Sequence, residues 1–63
     1  MIDYLEINAE PHMMSAEGTA GDEPCETEVE QAIKERGFNA ENISISHDGL
    51  QQCWRFTACI SEV

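Results

Sequence analysis

Positive charge is the scarcest commodity in this chain. Its 63 residues hold three Lys and Arg against thirteen Asp and Glu, for a formal net charge of -10. Phosphates and anionic headgroups would be repelled by such a surface, which excludes direct binding to nucleic acid or to an anionic membrane. No apolar run approaches the length of a membrane span. The opening MIDYLEINAE has neither the basic stretch nor the apolar stretch of a secretory leader. Cysteine is sparse and odd in number: Cys25, Cys53 and Cys59, with no CxxC or HxxxH spacing anywhere. A small secreted scaffold shows an even disulfide framework instead. These absences together predict a cytoplasmic protein with reduced thiols.

Length excludes a second class of functions. Residues 1–63 make one small domain, which buries only about 60% of its unfolded surface and leaves no room for a cofactor domain. Acid–base catalysis by paired carboxylates needs a cleft that drives their pKa values apart. With thirteen acids in so short a chain, chance proximity of two carries no information. The expectation is a non-enzyme with no cofactor and no metal. Residues 17–23, EGTAGDE, lack the alternating oxygen ligands of a calcium loop.

What is present is a folding pattern. Apolar content of 41% suffices for a core. Residues 3–10, DYLEINAE, alternate, with Leu5, Ile7 and Ala9 on one side, as in a half-buried strand that Pro11 ends. Residues 11–21, PHMMSAEGTAG, carry Gly, Ser and Thr without clear period and read as a mobile loop. A helix follows. Glu23 or Asp22 is its expected cap, with Pro24 in the first helical position and Glu26 at N3. Its expected apolar stripe is Cys25, Val29, Ala32 and Ile33, and Gly37 suits the left-handed position past its end, with Phe38 folding back on Ile33. Residues 42–47, NISISH, alternate again, and Asp48-Gly49 predicts a two-residue type I′ hairpin turn. That turn sets His47 opposite Leu50, Ile45 opposite Gln52 and Ile43 opposite Trp54. The return strand continues inward through Phe56, Ala58 and Ile60.

The predicted fold is therefore α+β: a three-stranded antiparallel sheet in the order β-α-β-β, with one helix packed on one face. The longest and most apolar strand, the last, belongs in the centre, with the first strand beside it. The other face is left to water and to Tyr4, Glu6, Asn8, Ser44, Ser46, Cys53, Arg55, Thr57 and Cys59. Cys53 and Cys59 share that face but lie about 20 Å apart along the strand, beyond shared zinc coordination or a disulfide. Trp54 and Phe56 fall on the core side, so they are no base-stacking platform, and a platform would need basic surroundings besides.

The charge itself is what remains. Residues 22–35, DEPCETEVEQAIKE, hold six acids and one lysine. Glu26 and Glu30 form an i,i+4 like-charge pair that costs a few tenths of a kcal/mol, and Lys34 compensates only Glu30. Three explanations stand side by side: a solvated face tuned for solubility, adaptation to high salt, or a strongly basic partner. On B-DNA, with one charge per ~1.7 Å of axis, the ~20 Å rise of this stretch would hold roughly twelve phosphates. Six carboxylates stand in for part of a duplex and suit a narrow channel lined with Lys or Arg. The residues nominated as phosphate analogues, by local density, are Asp22, Glu23, Glu26, Glu28, Glu30 and Glu35.

In its size, its acidity and the acidic helix start DEPCETEVE, the chain resembles the small phage-encoded anti-CRISPR proteins, in particular the DNA mimics that act on type I systems. That resemblance implies binding to the lysine-rich surface with which a Cascade-type complex reads the PAM duplex, in the host bacterial cytoplasm. The alternative is a small acidic protein–protein interaction module that partners a basic cellular protein.

Overall fold

The computed structural model describes residues 2–63. It is α+β, with one helix and a four-stranded antiparallel sheet. Along the chain run β1 (Ile2–Glu10), β2 (Met13–Ala20), α1 (Glu26–Lys34), β3 (Phe38–Asp48) and β4 (Cys53–Glu62), and the sheet order is β1-β2-β4-β3. The expected three strands thus become four, because most of the stretch read as a loop at 11–21 is strand β2. β4 lies inside the sheet as expected, but its second neighbour is β2, and β1 is pushed out to the edge.

β2 escapes a reading by composition because its inward side chains are so small. Met14, Ala16, Gly18 and Ala20 point to the helix side, while Ser15, Glu17 and Thr19 point away. The reason for smallness is a large neighbour. Gly18 pairs with Phe56, and a Cβ built on Gly18 would lie 2.5 Å from Phe56 Cζ. A glycine in a strand here marks a close approach rather than a turn.

The core collects Ala16, Val29, Ile33, Phe56, Ala58 and Ile60, with Ile2, Leu5, Ile7, Met14, Phe38, Ala40, Ile43 and Ile45 packed around them. α1 contributes Val29 and Ile33, both fully buried, and lies nearest β3. Its start differs from expectation. The helix begins at Glu26 with Cys25 in the cap position and no side-chain cap, Pro24 is buried ahead of it, and Cys25 is exposed rather than part of the apolar stripe. Its end agrees with expectation. Gly37 takes φ 93 and donates to the Lys34 carbonyl at 2.9 Å, and Phe38 packs against the cluster that holds Ile33.

Two bulges explain how the inward faces stay apolar. In β3, Phe38 and Ala40 point inward at even numbers, whereas Ile43 and Ile45 point inward at odd ones. The parity changes between Glu41 and Ser44, where the register with β4 slips by one and Asn42 adopts φ 53. Asparagine tolerates this left-handed conformation better than most residues. β1 does the same between Ile2 and Tyr4, after which Leu5 and Ile7 face inward in an unbroken register to Glu10.

The hairpin also corrects the predicted register. Asp48 pairs with Cys53, His47 with Trp54 and Ile45 with Phe56, so the loop has four residues, Gly49 to Gln52, instead of two. The positive φ falls on Gln52, at 52°, and Gly49 is not left-handed. A slip of four residues on the return strand is even, so every side chain keeps its expected face.

Candidate functional site

Among the described residues no polar or charged residue is buried, and no group of three or more His, Cys, Asp or Glu side chains is placed to hold a metal. Among the described residues no helix is long and apolar enough to cross a membrane. Cys25 and Cys59 are exposed free thiols and Cys53 is a half-buried one. The surface remains, and it divides into two acidic regions on opposite sides of the sheet.

The first region is α1 and the turn before it. Asp22, Glu23, Glu26, Glu30 and Glu35 are exposed, and Glu28 is half-buried. Glu26 and Glu28 occupy the first helical turn, where the positive end of the helix dipole favours them. At about 100° per residue, Val29 and Ile33 fix the inward direction. Glu26 and Glu30 then run down one flank, followed by Lys34. Glu28 and Glu35 lie on the other. The position furthest from the core falls to uncharged Gln31, with Thr27 and Glu35 next to it on either side. The structure therefore brings Glu26 and Glu30 together but does not gather the six nominated acids onto a single ridge.

The second region is the open face of β1 and β2, and composition alone did not mark it. Glu6 stands directly opposite Glu17 across the two strands, which sets the Cβ atoms of such a pair about 5 Å apart. Tyr4, two residues before Glu6 and on the same face, donates its hydroxyl to Glu6 Oε1 at 3.1 Å. That bond, followed by partial burial and by the charges of Glu6 and Glu17, pushes the Tyr4 phenol above its ordinary pKa. Glu10 continues the row along β1. Around Gly18, the side chains of Tyr4, Glu6 and Glu17, with Thr19, Arg55, Phe56 and Thr57, line a shallow depression of about 160 Å³. Ordinary ligand pockets start at about 300 Å³, so the dent fits the end of one side chain and no drug-sized molecule. The signal that would have found this region is the alternation Ser15, Glu17, Thr19 in β2, visible only once Gly18 is accepted inside a strand.

Among the described residues Arg55 is the one base on this face, and it is already engaged. Its Nε donates to Asp48 Oδ2 at 2.8 Å. The other Asp48 oxygen accepts from the backbone N–H of Leu50 at 3.0 Å and of Gln51 at 3.1 Å. Asp48 thereby closes the four-residue loop and fastens it to β4. The guanidinium of Arg55, then the Gln51 and Leu50 amides, hold its carboxyl below the ordinary 3.8. A folded-state pKa depressed in this way contributes stability above the ordinary value and loses it as pH falls through the folded one. Replacing Asp48 by alanine is therefore expected to lower Tm by a few degrees at neutral pH. The gap from the parent should close on acidification through that window. Thermal melts of both chains across the acid range check it, and a gap independent of pH would assign the loss to packing.

On the far side of the same loop, His47 meets Trp54 edge-on with ring centroids 4.9 Å apart, and Leu50 at the tip is 97% exposed.

No family model, curated protein or solved structure gives a significant match to this chain. The functional reading is carried by the residues themselves.

Proposed function

We propose that this chain is an inhibitor that occupies a basic nucleic-acid-binding surface of another protein in place of the nucleic acid. The specific form of that reading is a DNA-mimicking anti-CRISPR protein that blocks recognition of the PAM duplex by a type I Cascade-type complex. The observation that supports it best is the disposition of charge. Asp3, Glu6, Glu10, Glu17, Asp22, Glu23, Glu26, Glu30, Glu35, Glu41 and Glu62 are all exposed, while one of the three bases is tied to Asp48. A surface so weakly neutralised repels itself and draws in polycations. Solubility alone asks for charge of either sign, and interleaved lysines would supply it without the Glu6–Glu17 repulsion.

A rigid array on the open face of the sheet is formed by Glu6, Glu10 and Glu17. Four residues of strand span about 14 Å, over which one DNA strand carries about four phosphates. Three carboxylates on strands come near that density, and strands hold their side chains with less freedom than the turn before α1. Because the helix covers the opposite face of the sheet, a single flat partner surface touches either this array or the helix acids Asp22, Glu23, Glu26, Glu28, Glu30 and Glu35.

The experiment measures duplex binding by a type I effector complex with increasing amounts of this protein. Parent protein is expected to displace the duplex at low salt, with potency falling as salt screens the carboxylates. Glu6→Lys with Glu17→Lys should reduce potency about a hundredfold, two charge contacts at about tenfold each. Glu26→Lys with Glu30→Lys should act more weakly while leaving the fold intact. Duplex binding undisturbed by the parent at low salt defeats the type I reading. If other basic nucleic-acid-binding proteins also ignore it, the broader reading falls too. A second reading, an acidic interaction module for a basic cellular protein, is favoured by one feature: the unpaired outer edge of β1.

A further inference from the structure

The sheet has two edges, and they are not alike. The outer edge of β3 is broken by its bulge at Asn42 and its left-handed backbone, a device that discourages a further strand. β1 has no partner beyond β2, and from Tyr4 to Glu10 its register is continuous, with no bulge, proline or lysine among those residues. Every second residue of that stretch turns its N–H and C=O outward, ready to continue the ladder. The helix shields little of it: α1 lies nearest β3 at the other side of the sheet, and Ala32, with Glu35 and Arg36 just past the helix end, approaches β1 at Ile2–Leu5.

We propose that the outer edge of β1 accepts an extended basic segment of a protein partner as a fifth, antiparallel strand. The chemistry of the occupant follows from the two faces it would join. On the helix side an added strand meets half-buried Leu5 and Ile7, which ask for apolar or β-branched side chains. On the open side it meets Tyr4, Glu6 and Glu10, with Glu17 behind Glu6 and the dent of about 160 Å³ between them. A lysine or arginine opposite Glu6 lays its stem across Tyr4 and brings its cationic end to both carboxylates. The recognised segment therefore alternates basic and apolar residues at period two. A second copy of this chain is the wrong occupant: edge pairing would bring two rows of Glu6 and Glu10 onto one face, between two bodies of net charge -10 each. This holds whether or not the partner binds nucleic acid, so it stands apart from the inhibitor reading.

The test uses the whole protein and a synthetic peptide of about eight residues, long enough to span Tyr4–Glu10, alternating lysine and threonine. Two controls accompany it: the same peptide N-methylated at every second backbone nitrogen, and a peptide of equal charge in blocked order. Isotope-labelled protein reports where each binds and which amides become protected from exchange. The parent peptide is expected to shift and protect alternate amides of β1 and to leave the outer edge of β3 unaffected. N-methylation should weaken binding more than tenfold with charge unchanged, because it removes ladder hydrogen bonds. Glu6→Gln should weaken it several-fold without altering the fold. Equal binding of the N-methylated peptide, or shifts centred on Glu26 and Glu30, would reduce the effect to general charge attraction and overturn the proposal. So would dimerisation of the protein through β1 in sedimentation.

Discussion

Phe56→Ala is expected to cost about 4 kcal/mol, the middle of the range for truncating a fully buried aromatic ring. Phe56 is 1% exposed and is the largest side chain in the interior. It sits at the crossing of the fold, paired with Gly18 on one side and Ile45 on the other. Its removal opens a hole that small neighbours such as Ala16 and Ala58 have no means of filling. For a domain of this length, at roughly 0.05–0.15 kcal/mol per residue, total stability is about 3–9 kcal/mol. The net charge of -10 pulls it toward the lower part of that range. The variant should thus be largely unfolded near body temperature. Urea unfolding checks this: the midpoint falls steeply with the slope retained. Phe56→Leu, which keeps most of the volume, should cost about 1.5 kcal/mol. A loss below about 1 kcal/mol for the alanine variant would place the ring outside the true core.

Gly18→Ala is expected to be nearly as damaging, about 3 kcal/mol, although it adds a single methyl group. The added Cβ would come 2.5 Å from Phe56 Cζ and would also strike the carbonyl of Tyr4. Neither obstacle yields cheaply, since one is the ring of a fully buried core residue and the other is backbone. The same change is mild in an ordinary loop, so the experiment separates strand from loop for residues 13–20. Combining it with Phe56→Leu should recover part of the loss, because the ring clash is relieved and the Tyr4 clash is not. A coupling of about 1 kcal/mol in that double-mutant cycle is the expected signature. Full additivity would mean that the two residues do not touch. Should Gly18→Ala leave stability unchanged, β2 would have to lie elsewhere, and the Glu6–Glu17 array would dissolve with it.

Where charge is concerned, composition revealed the quantity and tertiary structure the address. Acids crowd residues 22–35, so the helix draws attention first, yet helical geometry divides them between two flanks around Thr27 and Gln31. The cross-strand carboxylate pair, Glu6 with Glu17, is separated by eleven positions in the chain and meets only because a two-residue turn at Pro11–His12 folds β2 onto β1. Asp48-Gly49 announced a hairpin correctly and its loop length wrongly. The carboxylate of Asp48 bonds two amides and Arg55 at once, and that set favours a four-residue loop over a tight one.

By itself the sequence determined which side chains face inward on β1 and β4 and, Cys25 excepted, on the helix, where the helix stops, and that the surface is overwhelmingly negative. These follow from local periodicity, from Gly37 and from simple counting. Only the tertiary structure decided that residues 13–20 are a strand, that β1 ends up at an open edge, and how β3 changes parity at Asn42. A stretch of Ala, Gly, Ser and Thr has no preference strong enough to declare itself. It becomes a strand because Phe56 needs a flat, small-sided neighbour and the backbone of β4 needs a hydrogen-bonding partner, and neither demand exists until the chain has folded.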